Sequence, residues 1–112
     1  MKRILLSIML AALASPAFAH ARLASSDPKA NASIKSPSLI KLVFSESLEP
    51  AFSGASLSDA AGKTIPVSAA VGTTTITLMP LSLKPGAYKV TWHSVGHDTH
   101  RVTGSFGFTV IP

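Results

Sequence analysis

The sequence predicts an all-β protein, an antiparallel β-sandwich, after a removable N-terminal leader. Three observations predict this fold class. Short runs rich in strand-forming residues recur at near-regular spacing, and turn sequences separate them. Prolines punctuate the chain but stay out of the best strand segments. No segment has the 3.6-residue apolar period that an amphipathic helix requires.

Six segments are predicted as strands. In chain order they are residues 39–44, 55–58, 64–67, 73–78, 87–95 and 105–110. The first is an apolar run rich in strand formers, the second alternates weakly before the turn at 59–62, and the fourth is β-branched. Pro66 in the third segment favours a sheet edge, because proline cannot donate to a strand ladder.

The two C-terminal segments predict the core most clearly. Tyr88, Val90 and Trp92 alternate with polar residues, so we expect their side chains to share one face. Phe106 and Phe108 share a face of the last segment with Val110, which completes the same pattern.

Residues 1–19 have the pattern of a secretory signal peptide. Lys2 and Arg3 precede an apolar run over 4–14, and the sequence Ala-Phe-Ala at 17–19 is a signal-peptidase site. The apolar run is too short to span a bilayer, and no later stretch is long enough. We therefore expect one exported domain over residues 20–112 that is not itself embedded in a membrane.

Composition excludes several classes of function. The chain has no cysteine, which excludes disulfides, thiolate metal sites and a lipoprotein anchor. Without Lys2 and Arg3, eight of the ten Lys and Arg remain against five Asp and Glu, so the charge falls from +5 to about +3. These charges are scattered, and nucleic-acid binding is not expected. No nucleophile or phosphate-loop motif is present, so we do not expect an enzyme.

Two separate features predict a metal site. Cleavage after Ala19 makes His20 the first residue, with an α-amine and an imidazole that can chelate one ion. Far downstream, Asp98 and His100 are two positions apart, so in extended backbone they face one point while His97 faces away. Three nitrogens and a carboxylate suit tetragonal Cu(II). An Asp-x-His sequence alone is more often a solvated turn, and the chelating N-terminus is what favours the metal.

Three further residues have open interpretations. Glu46 ends a strand and could reach the same edge as a ligand, or it is a solvent-exposed carboxylate. His93 is expected on the outer face of its strand. Met79 is the one methionine after residue 19, and it is interpreted as core packing beside Leu78 and Leu81. A Cu(I) site of thioether ligands is therefore not expected.

Taken together, the motifs along residues 20–112 resemble the periplasmic copper-binding CopC proteins of bacteria. The motifs are His20–Leu23, Ser26–Pro28, Leu42–Glu46, Phe52–Ala55, Leu83–Trp92, Asp98–His100 and Gly104–Phe108. The resemblance implies an Ig-like Greek-key β-sandwich or barrel that binds Cu(II) in the periplasm. It assigns metal binding to His20, Asp98 and His100, with Glu46 as a ligand or near neighbour.

The resemblance also has implications for partners. Some members carry a methionine-rich loop for Cu(I), whereas residues 57–70 here contain no methionine, so a Cu(II)-only member is implied. The family works with an inner-membrane partner, CopD, which would here be a separate protein. The function implied is a carrier or buffer in copper homeostasis or resistance. Two alternatives stay open: a copper-dependent oxidative enzyme with an N-terminal His chelate, and an Ig-like interaction module without metal.

Overall fold

The computed structural model describes residues 20–112, and the predicted leader at 1–19 lies outside the described residues. The described residues form nine strands and one short 3-10 turn, Pro50–Phe52. The strands are β1 (Leu23–Asp27), β2 (Ser33–Ile34), β3 (Ile40–Phe44), β4 (Gly54–Asp59), β5 (Thr64–Ile65), β6 (Val67–Val71), β7 (Thr75–Pro80), β8 (Gly86–Val95) and β9 (Arg101–Val110). Within this part of the chain, no helix is long and apolar enough to cross a bilayer.

The strands form two sheets, which confirms the predicted β-sandwich. One sheet has the order β1-β3-β7-β6 and the other β2-β9-β8-β4-β5. The pairs are antiparallel except for the short β2, which runs parallel to the end of β9. The long β8 and β9 pair without interruption from Gly86↔Val110 to Val95↔Arg101, and they are the central ladder of the second sheet.

Several elements differ from the sequence prediction, including the short β2, which was not predicted. The polar β1 was not predicted, because an edge strand paired only with β3 has little apolar surface to bury. The predicted strand 64–67 covers β5 and only the first residue of β6, which was otherwise not predicted, and the chain passes from one sheet to the other at Pro66. Both β5 and β6 lie at sheet edges, which is the position that proline favours. Finally, β9 begins at Arg101, four positions before the predicted start.

The core lies between the sheets and contains the residues predicted for β8. Val90 is fully buried, and Tyr88 and Trp92 are nearly so. The Trp92 ring packs edge-on against Phe44, with centroids 5.3 Å apart, and so joins the two sheets. The other buried apolar residues of the cluster are Ala21, Ile40, Leu42, Leu48, Leu57, Ile76, Leu78, Leu83, Phe108 and Val110.

The prediction that Met79 packs in the core is wrong. Its side chain is 47% exposed, and Leu81 is 84% exposed. Successive residues of a strand point to opposite faces, so burial of Leu78 in β7 turns Met79 toward solvent. Adjacency in sequence to a core residue is therefore evidence against burial in a strand.

Candidate metal centre

A tight turn at residues 96–100, between β8 and β9, sets the positions of Asp98 and His100. The Thr99 backbone nitrogen donates to the Gly96 carbonyl at 3.0 Å, and Thr99 has a left-handed φ of 64°. The His100 backbone nitrogen donates to Asp98 Oδ1 at 3.1 Å. The two side chains meet because the backbone turns, and not by the alternation of an extended strand. The predicted proximity is found, but the reason given for it was wrong.

The start of the described chain reaches this turn from the other sheet. Ala21 is fully buried in the core cluster. The Ser45 hydroxyl, just after β3, accepts a hydrogen bond from the Arg22 backbone nitrogen at 3.0 Å and donates to the His20 carbonyl at 3.3 Å. The Ser45 backbone nitrogen donates to the Arg22 carbonyl at 2.8 Å. These contacts hold the N-terminal segment at the end of β3 and position His20 against the turn.

His20, Asp98 and His100 form one compact group. His20 Nδ1 lies 2.5 Å from Asp98 Oδ2, and His100 Nδ1 lies 3.4 Å from the same oxygen. The two imidazoles meet edge-on, with centroids 4.8 Å apart and an interplanar angle of 85°. One potential ligand atom from each residue lies within 4.8 Å of the others. Two ring nitrogens and a carboxylate oxygen thus surround one point at the protein surface.

The three side chains differ in exposure. Those of His20 and Asp98 are 28% and 26% exposed, whereas His100 is 71% exposed. Partial burial raises the pKa of Asp98, but hydrogen bonds from the His20 ring, the His100 backbone and the His100 ring outweigh it. The pKa of Asp98 therefore lies below its usual value, and the carboxylate is ionised at neutral pH.

The remaining sequence candidates lie outside this group. Glu46 is exposed and is not one of the three grouped residues. His97 is 75% exposed, and its Nδ1 lies 2.9 Å from Glu49 Oε1, so it faces away from Asp98 as predicted. His93 is partly buried on the outer face of β8. Burial and the nearby Arg101 guanidinium lower the pKa of His93.

Sequence reasoning missed two serines that hold the N-terminal segment, Ser45 and Ser94. Ser94 carried a signal: it continues the inward register of Tyr88, Val90 and Trp92 on β8, where an apolar residue would be expected. A polar residue in an apolar register must find a hydrogen-bond partner, because burying an unpaired hydroxyl is unfavourable. Ser45 is exposed, and its sequence context offers no comparable signal.

The comparison with protein families identifies the family to which this chain belongs. Residues 23–111 match the family model described as the CopC domain. The chain belongs to the CopC family. The resemblance inferred from the sequence motifs is thereby confirmed, and the CopC match covers every strand of the sandwich.

Relatives and solved structures agree with the CopC assignment. Copper resistance protein C of Escherichia coli is 37% identical and covers 97% of this chain and 95% of its own length. Copper resistance protein C of Pseudomonas syringae pv. tomato is 40% identical over 82% of this chain and 81% of its own. The crystal structure of PcoC from Escherichia coli matches with a TM-score of 0.78 at 36% identity, over 83% of this chain and all of that chain.

A second solved structure is similar to the same extent. CopC from Methylosinus trichosporium OB3b matches with a TM-score of 0.78 at 34% identity, over 83% of this chain and 95% of that chain. PcoC is described as a methionine-rich copper resistance protein. This CopC-family chain has three methionines, Met1, Met9 and Met79, of which the first two lie in the predicted leader.

Proposed function

We propose that this protein is a periplasmic Cu(II) carrier or buffer that acts in copper homeostasis or resistance, and that it is not an enzyme. One observation supports this most strongly: the His20 imidazole lies against Asp98 and His100 although 78 positions separate His20 from Asp98. A simple ion pair with Asp98 would need one histidine, whereas two imidazoles converge on this carboxylate and one of them comes from the other sheet. In a family whose relatives are named copper resistance proteins, a copper site is the simplest account.

Removal of residues 1–19 completes the proposed donor set. In the 112-residue chain the nitrogen of His20 is a peptide amide, and cleavage after Ala19 converts it to an amine. An α-amine and Nδ1 of the same histidine close a six-membered ring on one ion. Nδ1 is also the ring nitrogen that faces Asp98. The imidazole therefore already presents the atom that this chelate requires.

The chemistry of the donors favours Cu(II). The proposed ligands are the His20 amine and imidazole, the His100 imidazole and the Asp98 carboxylate, a nitrogen and oxygen set typical of tetragonal Cu(II). Met79, the one thioether of the described chain, lies on β7 and is not part of the group. Glu46 follows Ser45, which contacts the His20 carbonyl, and we propose it as a neighbour of the site.

The proposed ligands also differ in their access to solvent, which suits a carrier. His20 and Asp98 are mostly covered and would hold the ion against the protein, whereas His100 is largely exposed. An acceptor can displace an exposed imidazole first and so enter the coordination sphere. We propose a separate CopD-like inner-membrane protein as that acceptor.

Replacing single histidines tests the proposed site. In protein that starts at His20, His100→Ala should weaken Cu(II) binding by at least about tenfold, because one of four donors is lost, a change of about 1.4 kcal/mol. His97→Ala is the matched control, since His97 is exposed in the same turn but faces Glu49. Affinity is measured by competition with a chelator. Equal binding by wild type and His100→Ala, or equal loss in both variants, would refute the assignment.

A further inference from the structure

Ser94 is a fully buried hydroxyl in a predominantly apolar core. Of the described residues, the buried polar ones are Ser53 and Ser94. The Ser94 hydroxyl donates to the Ala21 carbonyl at 2.5 Å, across 73 positions of sequence. A buried hydroxyl is costly unless it is hydrogen-bonded, and this bond satisfies it. It also connects β8 in one sheet to the N-terminal segment that leads into β1 in the other.

The neighbourhood of Ala21 confines that segment closely. A methyl group at Gly96 would contact the Ala21 backbone nitrogen at 3.5 Å and Asp98 Oδ1 at 3.4 Å. Gly96 therefore lies beside both Ala21 and the Asp98 carboxylate, with space between them for a methyl group in ordinary van der Waals contact. Ser45 bonds the segment on its other side, at the His20 carbonyl and the Arg22 nitrogen. The segment is held from β3 on one side and from β8 on the other.

We propose that Ser94 is a positioning residue for the metal centre: its hydroxyl fixes the Ala21 carbonyl and so seats His20 against Asp98 and His100. This inference rests on the proposed function. Chain termini are ordinarily mobile unless they are tied down, and here the terminal residue of the mature chain supplies two donors. With Ala21 fixed, the ligand atoms of His20 are ordered before the ion binds. The free energy of binding is then not reduced by the entropic cost of ordering them.

Removing the Ser94 hydroxyl tests the inference in protein that starts at His20. Ser94→Ala should weaken Cu(II) binding by about tenfold, the effect expected from losing a buried hydrogen bond and leaving the Ala21 carbonyl unpaired. In the metal-free protein, the Arg22 amide, which donates to Ser45, should exchange its hydrogen about tenfold faster. The electron paramagnetic resonance spectrum of the copper-loaded variant should contain a second Cu(II) species in which His20 is not a ligand.

Three further variants separate positioning from a general loss of stability. Ser94→Thr and Ser94→Val have the same shape and differ in the hydroxyl, so Thr should retain the binding that Val loses. Ser53→Ala is the matched control, because Ser53 is the other buried serine and bonds the Val95 nitrogen and the Glu49 carbonyl instead. It should lower the free energy of unfolding and leave Cu(II) affinity and Arg22 exchange unchanged.

The outcomes distinguish this inference from the proposed function. Wild-type protein that binds no Cu(II) would contradict both. Normal wild-type binding, with Ser94→Ala and Ser94→Val binding as tightly and Arg22 exchange unchanged, would contradict the positioning role alone. An equal loss in the Thr and Val variants would also overturn it, because the added volume and not the hydroxyl would then be responsible.

Discussion

At the scale of single residues, Asp98 is the centre of the site. Its Oδ1 accepts from the His100 backbone, and its Oδ2 lies against the rings of both His20 and His100. In the metal-free protein the His20–Asp98 hydrogen bond needs a proton on Nδ1, which is the atom proposed to bind the metal. Copper binding at Nδ1 therefore requires that proton to leave Nδ1, either for solvent or for Nε2 of the same ring.

The proximity of His20, Asp98 and His100 could be predicted from sequence, but the way the side chains meet could not. The predicted cleavage site before His20 and the Asp-x-His sequence are features that the order of the residues reveals. The left-handed φ of Thr99 is different, because threonine rarely adopts it and no residue in 97–100 signals it. The turn is formed because β8 and β9 must pair and because the Asp98 carboxylate accepts from the His100 backbone.

His93 lies away from the candidate site, and its lowered pKa predicts that the stability of the fold depends on pH. Burial, and then the Arg101 charge, lower the pKa of His93 below its ordinary value of 6.5, so the folded state disfavours its protonated form. Glu49 and Arg101 are the charged groups that line the same cavity of about 580 Å³ as His93. The unfolded chain binds this proton at higher pH than the folded chain does. Stability should therefore fall as pH drops below the ordinary pKa.

Urea unfolding of metal-free protein checks this expectation. Between about pH 7.5 and pH 5, either side of the ordinary histidine pKa, His93→Gln should lose less stability than wild type. The comparison with wild type cancels the contributions of the other histidines. Parallel pH profiles for the two proteins would show that His93 titrates alike in the folded and unfolded chains.

At the scale of elements, the β8–β9 ladder sets the geometry of the site. Ten residues of each strand pair without a bulge, so the turn that carries Asp98 and His100 projects from a continuously paired hairpin. Gly104 lies opposite Trp92 in this ladder. A Cβ at Gly104 would lie 2.5 Å from Trp92 Cζ2, closer than any real contact. The indole ring thus occupies the space that a side chain at 104 would need.

Gly104→Ala should therefore destabilise the fold by about 1–3 kcal/mol, because the Trp92 ring is packed against Phe44 and cannot move without disturbing the core. The measurement is the free energy of unfolding in urea. Ser105→Ala is the control, since Ser105 is exposed at the next position, and it should change stability by less than about 0.5 kcal/mol. A Gly104→Ala protein as stable as wild type would contradict this packing.

Strands could be predicted from the sequence where burial of one face imposes an alternation of apolar and polar residues. The alternation of Tyr88, Val90 and Trp92 predicted β8 and its inward face, because one side of a central strand must be apolar. The edge strands β1 and β2 escaped prediction because they bury little and their register depends on neighbours far along the chain. Met79 was misplaced because its neighbours in sequence were weighed above strand alternation.

At the scale of the whole molecule, the site lies where the two sheets meet. His20 lies on the side of β1 and β3, whereas Asp98 and His100 lie in the turn of the β8–β9 hairpin. The donors therefore come together only when both sheets are formed and packed. Bound metal would link the sheets and stabilise the folded state according to its concentration and affinity.

The most direct test of the account is the contribution of the His20 amine. Protein that starts at His20 with a free amine is compared with the same protein acetylated at that amine, a change that removes one proposed donor. Cu(II) affinity is measured by chelator competition, and equal melting temperatures of the metal-free forms show that folding is unchanged. We predict that acetylation weakens Cu(II) binding by at least about tenfold, or 1.4 kcal/mol. Equal affinity in the two forms would contradict the N-terminal chelate.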